Sequence, residues 1–101
     1  MNEDTLKAKL SCHNIRNPIL SEVLERELDC AGSVIRDGVR ALRNNGVPIA
    51  SGADGYFVAE SFQEIEQTIE HLRSRMKSLA ITANILAKAF NIDLQDDLFL
   101  Q

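Results

Sequence analysis

GSVIRDGVRALRNNGVPIASGADGYFVA, residues 32–59, holds a complete helix, a helix stop and a hairpin, and the rest of the chain reads as support for it. Ser33 has a side-chain oxygen suited to capping a helix. Val34, Ile35, Val39 and Leu42 recur along one face, which must be buried. The opposite face carries Ser33, Arg36, Asp37, Arg40, Arg43 and Asn44, so all three guanidinium groups are expected to project into solvent. Asn45-Gly46 ends the helix, with Gly46 in the left-handed position beyond the cap and Pro48 barring continuation. Residues 47–51 then read as a strand, Gly52-Ala53-Asp54-Gly55 as the turn and residues 56–59 as the return strand.

Toward the N-terminus, residues 3–13 set Leu6, Ala8 and Leu10 among lysines, the pattern of a short amphipathic helix opened by Asn2 or Asp4. Asn17-Pro18 disfavours helix, and Ile19 and Leu20 fit a short strand. Ser21 is expected to cap a second helix over residues 22–28, with Val23, Leu24 and Leu28 inward and Glu22, Glu25, Arg26 and Glu27 outward. Asp29-Cys30-Ala31-Gly32 then forms a turn before Ser33. Two helices joined by a short Gly-containing turn make a helix-turn-helix arrangement, whose second helix is the one that enters major grooves.

On these residues the chain resembles winged helix-turn-helix proteins of the biotin-repressor type and related small bacterial and prophage regulators. GVPIASGADGYFVA is similar to their wing, the likeness covers about residues 19–59, and Gly46, Gly52, Gly55 and Tyr56 are its most specific part. The resemblance implies a mainly α fold with a small β-hairpin wing, residues 1–60 forming a winged helix-turn-helix DNA-binding domain. Double-stranded DNA is the implied partner. In that setting Arg36 and Arg40 can pair bidentately with guanine, while Ser33 and Asp37 contact phosphate or a cytosine amino group and Arg43 and Asn44 the backbone. Ser51, Gly52 and Ala53 would approach the minor groove or its phosphates. The wing tip departs from the family pattern in having no Lys or Arg and carrying Asp54, which leaves backbone N–H groups to position it.

After the hairpin the pattern changes. Ser61 and Glu64 match a capping box, with acidic residues early and Arg73, Arg75, Lys77 and Lys88 later, as a long helix prefers. Phe62, Ile65, Ile69, Leu72, Met76, Leu79, Ala83, Leu86 and Phe90 are spaced alternately three and four apart, a heptad seam that marks residues 61–90 as an oligomerisation helix. Its first turns can equally serve as a last core helix of the preceding domain. Ile81 and Ile85 fall off the seam and need separate cover, from a four-helix bundle or from the tail. Residues 91–101 form an acidic-hydrophobic tail, either an ordered cap or a peptide for a partner.

The 101 residues suit one domain with an extension, and aromatics at 5% leave the core to aliphatic side chains. A net charge of −4 argues against nonspecific nucleic-acid binding, yet residues 33–58 hold three basic and two acidic side chains and form the one net-positive stretch. Cys12 and Cys30 are expected to be buried thiols in a reducing cytoplasm. Neither they nor His13 and His71 make a metal or nucleophile spacing, and there is no Gly-rich phosphate loop, so no enzyme activity, metal or cofactor is expected. Two functions remain. One is a dimeric, sequence-specific DNA-binding regulator of transcription or of phage-type replication or excision. The other is a winged-helix scaffolding module whose arginines are a solvated face paired with Glu22, Glu25 or Glu27, and which binds protein instead.

Overall fold

The computed structural model describes residues 1–92, so most of the expected tail, residues 93–101, lies outside the described residues. Asn2 opens helix α1, Glu3–Leu10, by accepting the Thr5 N–H at 2.8 Å, with Glu3 and Asp4 in the first turn and Lys7 and Lys9 in the last, where the helix dipole favours them. The helix stops before residue 13. Beyond it the Asn17 side chain accepts the Asn14 N–H at 2.8 Å and donates to the Cys12 carbonyl at 3.1 Å, so a loop satisfies groups that a longer helix would have paired.

Helix α2, Ser21–Leu28, begins one residue earlier than its predicted cap implies, and helix α3, Gly32–Asn44, two residues earlier. Leu20 and Ala31 are the extended residues at the entries, and neither Ser21 nor Ser33 acts as a cap. Ile19 explains the first case, because its backbone is held extended by a bridge to Tyr56, so the chain turns into helix at Ser21. The Ser21 hydroxyl instead lies 3.3 Å from a Glu25 carboxylate oxygen. Gly32 accordingly belongs to α3 and the connecting turn shrinks to three residues. Asp29 ends α2 in the left-handed conformation, φ 50°, a position that glycine usually fills.

Helix α3 ends as expected. Asn45 caps it, Gly46 follows at φ +90°, and Val47 N–H returns to the Leu42 carbonyl at 3.0 Å. Strands β1, Ile49–Gly52, and β2, Gly55–Val58, then pair antiparallel in the register Ile49↔Val58, Ala50↔Phe57, Ser51↔Tyr56, Gly52↔Gly55. Gly55 has φ +116°, and a Cβ on it would lie 2.3 Å from the Ile19 carbonyl oxygen, so two independent constraints exclude a side chain there. Tyr56 and Ile19 exchange both backbone hydrogen bonds at 2.8 Å, which makes β2 the middle member of the sheet and Ile19 a one-residue third edge.

Leu6, Leu10, Ile19, Leu24, Ile35, Val39, Leu42 and Ile49 form one buried core, with Val23, Leu28, Cys30 and Tyr56 packed against it. The pattern predicted Val34 for this face, but Val34 is 39% exposed, lying at the edge of the apolar stripe. Gly38 lets α1 approach α3 closely, since a Cβ there would meet Leu6 Cδ2 at 2.6 Å.

Helix α4 runs Phe62–Lys88, 27 residues or about 40 Å. At its start the Glu64 carboxylate accepts the N–H of Glu60 at 3.0 Å, so half of the capping box is built one residue further out. The first compact unit spans Met1–Thr68 and includes the opening turns of α4; a second begins at Ile69. Phe90 lies just beyond the helix end.

Candidate nucleic-acid interface

The amphipathic division of α3 decides what it can present. Ile35, Val39 and Leu42 are buried, which turns Ser33, Arg36, Asp37, Arg40 and Asn44 outward, and all five are exposed. Arg40 Nη1 and Asp37 Oδ1 stand 4.0 Å apart with both side chains 75% exposed, too loose and too wet a pair to tie either group down. Among the described residues Arg36 makes no ion pair, and the expected glutamates are engaged elsewhere or free. Glu27 pairs with Lys9 of α1, and the hydrogen bond from that ammonium holds its carboxyl below the ordinary glutamate range.

Arg43 does not join this face. It is half-buried, its Nε donates to the Ile49 carbonyl at 2.8 Å and its Nη2 to the Ser51 hydroxyl at 3.3 Å, and burial pulls its guanidinium below the usual range. Its position on the helix places it toward the hairpin, where a long side chain reaches β1 more readily than solvent. The expected trio of free arginines is therefore a pair, Arg36 and Arg40, with Arg43 acting as a strut.

Ser51 is likewise withdrawn from the expected contact set. Besides its hydroxyl, its N–H donates to Thr68 Oγ1 at 3.1 Å, and the Thr68 hydroxyl donates to the Ser51 carbonyl at 3.4 Å. Gly52, Ala53 and Asp54 at the hairpin tip are exposed. Thr68, 4% exposed, was not legible as a structural contact. In the sequence it is a polar residue flanking the heptad seam, and its partner is a strand backbone 17 positions earlier.

A recess of about 310 Å³ opens beside the hairpin tip, lined in part by Ile15, Pro18, Phe57, Asp54 and Glu64. Its lining carries two carboxylates and no basic residue. Cys12 is exposed and Cys30 half-buried, both free thiols, so the expectation of two buried thiols fails at Cys12, which lies in the loop after α1. His71 is exposed, and His13 Nδ1 lies 2.8 Å from the Asn17 carbonyl within that loop. No cluster of metal-ligating side chains occurs among the described residues.

The predicted oligomerisation residues divide along α4. Ile65, Ile69 and Met76 are half-buried, whereas Leu72, Leu79, Ala83, Leu86 and Phe90 are exposed, as are Ile81 and Ile85 off the seam. No described helix is long and apolar enough to cross a membrane. Comparison with family models, curated proteins and solved structures finds no match to this chain.

Proposed function

We propose that the chain is a sequence-specific double-stranded DNA-binding protein of winged helix-turn-helix type, with α3 as its recognition helix and the hairpin as its wing. The carrying observation is the outward face of α3, where Ser33, Arg36, Asp37, Arg40 and Asn44 are all exposed on a rigid helix whose other side is core. Arg36 and Arg40 lie four residues apart, one helical turn, and suit bidentate recognition of guanine in a major groove. Ser33 and Asp37 supply shorter contacts to phosphate or to a cytosine amino group. Ala53 at the hairpin tip offers its backbone N–H to the phosphates beside the groove, Gly52 spending its own on Gly55 across the ladder, and the acidic Asp54 keeps the tip from deep insertion.

The exposed leucines of α4 support pairing of two chains, since Leu72, Leu79 and Leu86 repeat every seven residues and a matching helix is the surface they complement. A dimer reads a two-fold site with half-sites about one helical turn, roughly 34 Å, apart or a multiple of that. The role is that of a small regulator of transcription or of phage-type replication or excision. Selection from a randomised duplex pool tests the reading: an enriched palindrome whose affinity falls steeply with salt is expected, and a pool that stays random overturns it.

A further inference from the structure

Three side chains far apart in the sequence meet in one polar chain in the first unit. Arg43 comes from the face meant for DNA, Ser51 from the wing contacts and Thr68 from the flank of the α4 seam. Antiparallel pairing explains why they meet at Ser51. Its partner Tyr56 spends N–H and carbonyl on Ile19, on the far side of β2, so the Ser51 backbone groups point away from β2 as well. That leaves an open strand edge. Thr68 closes it, one hydroxyl accepting from the Ser51 N–H at 3.1 Å and donating to its carbonyl at 3.4 Å, as a neighbouring peptide would. From the α3 side, Arg43 grips the same strand through the Ile49 carbonyl at 2.8 Å and the Ser51 hydroxyl at 3.3 Å.

We infer that Thr68 and Arg43 are positioning residues for DNA recognition, holding the base of the hairpin between α4 and α3 so that Ala53 at its tip meets the phosphates at a fixed distance from the bases read by α3. The inference rests on the DNA-binding reading above. Neither residue touches DNA in this arrangement. Arg43 has neutral acceptors and, among the described residues, no carboxylate partner, so its geometry rather than an ion pair aligns helix and strand. Two short strands alone would leave the tip free to swing.

Thr68→Val, which keeps the shape and removes the hydroxyl, and Thr68→Ser, which keeps the hydroxyl, separate positioning from packing. Amide hydrogen exchange at Ser51 and sequence preference in a randomised duplex pool are measured for each. The expected result is faster Ser51 exchange in Thr68→Val by about three- to tenfold, the range of one modest hydrogen bond. Preference at positions flanking the central bases weakens too, with central preference retained and Thr68→Ser close to wild type in both. Wild-type exchange at Ser51 in Thr68→Val overturns the clamp, whether or not DNA is bound. Altered exchange with unchanged flanking preference overturns its role in recognition. A wild-type chain that selects no sequence overturns the DNA reading, and this inference with it, while the exchange data still report on the clamp.

Discussion

Gly55 and Gly46 both hold positive φ, yet they face different surroundings, and the difference sets what each substitution costs. A Cβ on Gly46 meets nothing within 4 Å, so Gly46→Ala carries backbone strain alone, about 1 kcal/mol. A Cβ on Gly55 drives into the Ile19 backbone at φ +116°, and Gly55→Ala is expected to cost at least about 3 kcal/mol because the clash adds to the strain. Urea unfolding of the two variants checks the order, and equal costs would mean that Ile19 gives way. Arg43→Met keeps much of the side-chain length and loses two hydrogen bonds to β1, which should lower stability by about 1–3 kcal/mol. The Lys9–Glu27 pair gives a pH signature. The Glu27 carboxyl titrates lower in the folded chain than in the unfolded one, so the unfolded state takes up the proton first as pH falls. Its contribution is therefore present above the unfolded-state value and lost on acidification through the folded one. Glu27→Gln should flatten that acid limb in urea midpoints measured across pH, and an unaltered limb would show that the pair contributes nothing.

Elements with local causes were legible in the sequence. The stop at Asn45-Gly46, the existence of the hairpin and the length of α4 each follow from residues a few positions apart, and each is found. Gly52 and Gly55, however, pair with each other at the strand ends, the turn narrows to Ala53-Asp54, and β1 starts at Ile49 rather than at residue 47. What sequence missed depends on partners distant in the chain. The early starts of α2 and α3 follow from extended entry residues, the first of them fixed by Ile19 pairing with Tyr56, and no cap pattern reports that. Arg43 and Ser51 were misassigned, and Thr68 passed over, for the same reason, since period places a residue on a face but does not say what stands opposite its flank. Exposed Val34 shows the limit from the other side: a helical stripe has edges, and a residue there can fall outward. The exposed half of α4 carries its own test. Leu79 is 65% exposed at a heptad core position, so Leu79→Asp should reduce the mass seen in sedimentation to that of one chain with the helical signal of residues 1–68 retained. An unchanged mass would remove the seam from the assembly.

Across the molecule, charge is divided rather than balanced. The net charge is −4, and the outward face of α3 is a small cationic area in an acidic chain, which favours one oriented approach to a polyanion over general adhesion. On the proposed DNA reading, such a chain binds one duplex strongly and most others poorly. The dimer proposed through α4 doubles the number of such faces without raising affinity for random DNA as much as for a two-fold site. Arg40 stands near the middle of that face, 75% exposed and only loosely matched with Asp37, so its removal leaves the fold nearly untouched while taking away a contact that the proposed DNA reading requires. The affinity of Arg40→Ala relative to wild type, measured on the duplex that wild type selects and on a scrambled duplex of equal length, therefore bears on the central claim most directly. A loss of about 1–3 kcal/mol on the selected duplex with a much smaller loss on the scrambled one is expected. Equal affinities on the selected duplex would contradict the assignment of α3 as the helix that reads bases.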